Sequence, residues 1–249
     1  MRITESVPQP RGVEAITTAL GIMSPGAVVF DCDGVLLDTQ SVWNRAQEEL
    51  LEDRGARMEA ADAAYLVGRS VEDVVVAVAR AVGEDPYAVG HELGERHKAL
   101  LAGGIPVFEG ARELLAAASE SVPVAVASNS PRRFLIEGLR ATGFLELVDH
   151  VVAIDDVAEG KPAPDIYLHA AAALGAAPHE TLAVEDSETG ARAARAAGLK
   201  LLTIPTIAGQ DPVGDHRLAS IADPSLLAWA RSWPRSRTTV PTQKETSTP

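Results

Sequence analysis

Apolar residues along this chain come in two spacings. Short unbroken runs at Val28–Phe30, Val124–Ala127, Val151–Ile154, Thr181–Val184 and Leu201–Ile204 are too brief for helices, and most end against Gly, Pro, Asp or Ser. They predict buried strands. Between them, apolar residues recur every three or four positions over Ala111–Ser119, Arg132–Ala141, Asp165–Leu174 and Thr189–Ala197, which predicts helices. Gly198 ends the last of these. Strands alternating with helices predict an α/β core, a doubly wound parallel sheet with helices on both faces. Such sheets bind ligands at the carboxyl ends of their strands.

Residues 40–104 break the alternation. Only helical spacing is found there, over Val42–Arg54, Ala60–Leu66, Val71–Val82 and Pro86–Leu101, before Gly103, Gly104 and Pro106 return the chain to the core. An all-helical insert directly after the first strand predicts a small α-helical cap domain beside that strand's end. The expected organisation is a flexible extension over 1–24, a core from 25–39 and 105–230, the cap over 40–104, and a disordered tail over 231–249. The tail's polar stretch, "RSRTTVPTQKETSTP", begins at Arg235. Met23 offers an alternative start.

Composition narrows the class. The chain has 249 residues, 46% of them hydrophobic, enough for one sizeable domain and a smaller one. Twenty-two basic against 35 acidic residues give a net charge of −13. That field repels nucleic acid and anionic lipid and favours a small-molecule protein. An anionic substrate must then be held by local positive charge. The one cysteine, Cys32, permits no intrachain disulfide and fits a cytoplasmic setting. Ala15–Phe30 is uncharged, but Thr17, Thr18, Gly21, Ser24, Pro25 and Gly26 interrupt it, so it reads poorly as a leader. No run is long enough to cross a membrane. The six histidines show no zinc-binding spacing.

Four strand ends carry the candidate chemistry. "FDCDG" places Asp31 and Asp33 two residues apart, so both carboxylates point one way and Cys32 the other. An ordinary acidic turn explains such a pair when it stands alone. "VASNS" follows a buried run with Ser128 and Asn129 ahead of a helix, a setting that suits an anionic oxygen or simply a helix cap. "EGKPAPDIY" fixes Lys161 between a glycine and a proline, though most lysines are merely exposed. "LAVEDSETG" ends a strand in Glu185 and Asp186, which suit either a hard divalent cation or the opening of the next helix. Each signal alone is weak; their order and their common place after strands give them weight.

In the motifs "FDCDGVLLDT", "SNS", "GKPAPDIY" and "EDSETG" the chain resembles the haloacid dehalogenase superfamily, in its capped phosphatase and β-phosphoglucomutase-like branch, over about residues 26–225. The resemblance implies a Rossmann-like core and a Mg2+-dependent phosphatase acting on a small phosphorylated metabolite: a sugar, sugar-acid or glycolate phosphate. It implies Asp31 as nucleophile through an aspartyl-phosphate and Asp33 as general acid and then base. Magnesium would sit on the Asp31 side chain, the Asp33 carbonyl and Asp186, with Glu185 helping indirectly. Ser128, Asn129 and Lys161 would hold phosphate oxygens. In the cap, Arg69 of "YLVGRS" is the candidate for substrate choice, with a solvated surface arginine as the alternative.

A β-phosphoglucomutase-like phosphomutase is the alternative activity. The resemblance places Trp43 and Val71 where such mutases carry a histidine and an arginine, which favours the phosphatase. A dehalogenase would lack the second aspartate, and a catalytically silent sugar-phosphate-binding module would not need all of Asp31, Asp33, Lys161 and Asp186. A monomer or weak homodimer is expected.

Overall fold

In the computed structural model the described residues are 11–58 and 71–235. The core strands are β1 (Ala27–Phe30), β2 (Val124–Ala127), β3 (His150–Val152), β4 (Thr181–Glu185), β5 (Lys200–Thr203) and β6 (His216–Arg217). They form one sheet of order β3-β2-β1-β4-β5-β6, with every pairing parallel. This is a Rossmann-like α/β fold. Its strand order reverses between β1 and β4, and a ligand crevice opens at such a point.

The helices are α1 (Arg11–Leu20), α2 (Thr39–Asp53), α3 (Val71–Val82), α4 (Pro86–Ala102), α5 (Ala111–Ser121), α6 (Arg132–Ala141), α7 (Asp165–Ala173), α8 (Glu188–Ala196) and α9 (Pro224–Arg231). The period-two alternation of each strand divides the core. Val28, Phe30, Val124, Val126, Leu182 and Val184 face a cluster with α1, α5, α6 and α9, which holds both Trp229 and Trp233. Ala27, Val29, Ala125, Ala127 and Ala183 face the opposite way, onto α7 and α8. Small residues there let the helices approach closely, and Tyr167 is the largest buried side chain on that face.

Helices α2, α3 and α4 build the cap around a separate small core of Ala46, Leu50, Leu51, Val74, Val78, Ala79, Val89 and Leu93. Asp38 caps α2 by accepting from the Ser41 amide, and Asp85 caps α4 by accepting from Tyr87 and Ala88. Where the chain leaves and re-enters the core it is stitched together. Leu37 bridges to Val107, the Asp38 amide donates to the Pro106 carbonyl at 2.9 Å, and Phe108 donates to Leu36 at 3.2 Å.

Two expected boundaries need correction. Residues 11–20 are not a loose extension. They form α1, whose Val13, Ile16 and Leu20 recur on one helical face and are buried against the sheet and α9. The core also runs past residue 230. Trp233 is buried and packs edge-on to Trp229, with ring centres 4.9 Å apart. Residues 236–249, the helix expected over 60–66 and Arg69 lie outside the described residues. Two elements were not anticipated, β6 and α9. Among the described residues no helix is long and apolar enough to cross a membrane.

Candidate active site

The four quoted motifs meet at the carboxyl ends of β1, β2 and β4 and in the loop before α7. β1 and β4 pair directly, and the Asp31 amide donates to the Val184 carbonyl at 2.9 Å, so Asp31 lies beside Glu185 and Asp186. Carboxylate oxygens of these three acids lie within 4.8 Å of one another. Exposure is 7% for Asp31, 9% for Lys161, 0% for Glu185 and 2% for Asp186, so little water screens this charge.

Lys161 is the cation among them. Its Nζ donates to Asp31 Oδ1 at 2.7 Å, to Glu185 Oε1 at 2.7 Å and to the Ala127 carbonyl at 3.0 Å. All three of its protons are engaged. Burial works against its charge, but Asp31 and Glu185 outweigh burial and hold the ammonium above its ordinary value. One ammonium does not neutralise three acids. Burial, with Glu185 next, pushes the Asp31 carboxyl well above the carboxylate range. Burial likewise raises Asp186 to about 6, against the Thr206 hydroxyl that donates to its Oδ2. Net negative charge on buried oxygen ligands is what a hard divalent cation relieves, so the donor set fits such a cation.

Asp33 is turned toward hydroxyls. Its Oδ1 accepts from Thr39 at 2.7 Å, and its Oδ2 accepts from Ser128 at 3.0 Å and Ser130 at 2.8 Å. Ser128, buried at the end of β2, also accepts from the Ser130 amide at 3.0 Å. Gly34 allows this turn. It has φ 89°, and a Cβ there would stand 2.0 Å from Asp186 Oδ2.

The expectation for Asn129 changes. Its side-chain amide pairs with the Lys161 main chain, accepting from the amide at 2.8 Å and donating to the carbonyl at 3.0 Å. It therefore clamps the Lys161 loop instead of reaching into the crevice. Gly160 makes room for it, since a Cβ there would lie 2.7 Å from Asn129 Oδ1.

Five residues beyond those expected touch the site. Ser130, Thr39 and Thr206 are short hydroxyls that hold the aspartates, and Tyr167 donates to Glu185 Oε1. Thr39, Ser130 and Tyr167 lie inside the quoted motifs and Thr206 just past β5, but an uncharged hydroxyl gives no sequence signal of its own. The fifth is His97 of α4, on the cap. Its ring packs edge-on to Trp43 at 5.4 Å, and burial lowers its pKa against the opposing pull of the Thr39 main chain and Asp33.

The chain is similar in sequence and fold to known proteins. A family profile for haloacid dehalogenase-like hydrolases matches residues 25–198. The chain is 30% identical over 206 residues to hexitol phosphatase B of Escherichia coli (strain K12), covering 79% of this chain and 93% of that protein. It is 30% identical over 230 residues to (DL)-glycerol-3-phosphatase 2 of Arabidopsis thaliana, covering 86% and 94%. Among solved structures, a HAD family hydrolase from Deinococcus radiodurans R1 with bound phosphate and sodium superposes with a TM-score of 0.69 at 31% identity, covering 84% of this chain and 97% of that one.

Proposed function

This chain belongs to the haloacid dehalogenase-like hydrolase family, and from that premise we propose that it is a Mg2+-dependent phosphatase of a small phosphorylated metabolite. One observation carries the reading: Asp31, Glu185 and Asp186 are gathered around a single ammonium, beside an Asp33 held by serine hydroxyls. A sugar or polyol phosphate is the substrate class, by analogy with the relatives named hexitol and glycerol-3-phosphatases.

The reaction divides into two displacements. An Asp31 oxygen attacks phosphorus, forming the aspartyl-phosphate as the bond to the leaving oxygen breaks. Asp33 gives that oxygen a proton. Water then attacks the same phosphorus, Asp33 takes the water's proton, and Asp31 is released together with inorganic phosphate. To begin, Asp33 leaves Ser128 and Ser130, whose hydroxyls then donate to phosphate oxygens in its place. Lys161 holds Asp31 in line and offsets its charge. Asp31, Asp186 and the Asp33 carbonyl would hold magnesium, which when bound offsets the repulsion between carboxylates and phosphate.

The test is hydrolysis of p-nitrophenyl phosphate with Mg2+, with a chelator, and in Asp31→Asn, followed by a screen of phosphorylated metabolites. Turnover that needs Mg2+ and Asp31 supports the reading. Turnover that survives the chelator or Asp31→Asn overturns it. Isomerisation of glucose 1-phosphate without net release of phosphate would replace it with the phosphomutase.

A further inference from the structure

We propose that Tyr167 is a positioning residue that withholds Glu185 from the metal and keeps it as the anchor of Lys161, leaving the cation to Asp31 and Asp186. The inference deepens the phosphatase reading and rests on it. Proximity alone cannot divide the three acids, because one oxygen of each lies within 4.8 Å of the others. Their hydrogen bonds do.

A carboxylate has about four lone-pair directions. Glu185 has all of them occupied. Its Oε1 accepts from Lys161 Nζ at 2.7 Å and from the Tyr167 hydroxyl. Its Oε2 accepts from the Ser187 hydroxyl at 3.2 Å and from the Asp186 and Ser187 amides at 3.2 and 3.4 Å. The carboxylate lies beneath the first turn of α8, in space that a side chain at Gly190 would fill, since a Cβ there would stand 1.8 Å from Oε1. Asp31 and Asp186 differ. Asp31 uses Oδ1 for Lys161, and Asp186 uses Oδ2 for Thr206, so each keeps its second oxygen off these bonds.

Tyr167 can act this way because it is itself immobile. It is fully buried on the alanine-rich face of the sheet, with Lys161 Nζ 5.1 Å from its ring centre. Losing the hydroxyl alone leaves Oε1 with the Lys161 bond and its second lone pair unmet in a dry site, which is costly. The carboxylate then turns toward the nearest uncompensated cation, the metal, and loosens its hold on Lys161. Metal binding and turnover should therefore move in opposite directions, whereas general loosening of the fold would weaken both.

The experiment compares the native protein with Tyr167→Phe by calorimetric titration with Mg2+ alone and by p-nitrophenyl phosphate kinetics. Tighter Mg2+ binding with about a tenfold or greater loss of kcat and an unchanged KM is the expected result. Equal or weaker Mg2+ binding, or an unchanged kcat, overturns the proposal. A crystal structure of the unmodified protein with Mg2+ gives a second decision that needs no variant. Glu185 remaining on Lys161 and Tyr167 supports the proposal, and a Glu185 oxygen about 2.1 Å from the ion refutes it. Native protein that binds Mg2+ but hydrolyses no phosphate ester would sink the phosphatase reading instead, and the binding and crystal arms would still judge the division of the acids.

Discussion

The floor of the crevice and the cap that rises beside it are held by different physics. On the floor, Asp31, Lys161, Glu185 and Asp186 are nearly dry and are fixed by short, mutually dependent bonds. In the cap, α2 and α4 are tied by partly exposed ion pairs. Arg54 bonds Glu84 and Glu92, and Arg96 bonds Glu92 and Asp53. Beneath those pairs lies a small core of its own. The difference is one of exposure and mutual dependence. Chemistry needs groups that cannot shift, whereas the cap's ion pairs are partly open to solvent and hold it weakly.

Several measurements would break or sharpen that contrast. The largest effect is expected from Asp31→Asn, which should lower kcat by at least about 10³-fold. Because Asp31 is ionised only against burial and Glu185, its melting temperature at pH 8 should not fall. Lys161→Met should cost about 3–5 kcal/mol in chemical denaturation, because it leaves two buried carboxylates facing each other. Leu50→Ala, a cavity at the centre of the cap, should cost about 2–5 kcal/mol locally. Hydrogen exchange should then rise in α2, α3 and α4 but not in β1 or β4.

A smaller effect concerns pH. Asp186 titrates near 6 in the folded metal-free chain, above its ordinary value of 3.8. Its contribution to stability is therefore fully present below about 3.8 and is lost as pH rises through about 6. Metal-free protein should show this slope in thermal melts between pH 4 and about 7, Asp186→Asn should make it shallower and leave the share that the raised Asp31 contributes, and Mg2+ should reverse it by favouring the deprotonated acids. The smallest effect belongs to the surface. Arg54→Ala should leave the melting temperature and p-nitrophenyl phosphate turnover within error. A large loss there would show that the cap depends on its ion pairs more than on its core.

The sequence spoke most clearly where charge interrupts apolarity. Asp31, Glu185 and Asp186 end or follow buried strands, Lys161 stands in the proline-bounded loop before α7, and the structure brings all four together. Helices α3 and α6 match their expected limits because strong three-and-four spacing sets them. Misses arose where the signal was short or uncharged. Helix α1 shows its face only through Val13, Ile16 and Leu20, in a short segment that also holds Gly12, Thr17 and Thr18. Strand β6 is two residues long and gains its place only by pairing with β5. Asn129 looked like an anion ligand because an amide can serve either purpose, and only the fold reveals that it grips the Lys161 main chain.

The stitch at the base of the cap has a further consequence. Asp38 and Pro106, the last residue out of the core and one of the first back in, are hydrogen-bonded neighbours, flanked by the Leu37–Val107 bridge and the Phe108–Leu36 bond. Everything between them hangs from a closed loop whose two ends already touch. A foreign module spliced at these points would inherit that seam, provided it kept a hydroxyl at position 39 to hold Asp33 Oδ1 as Thr39 does.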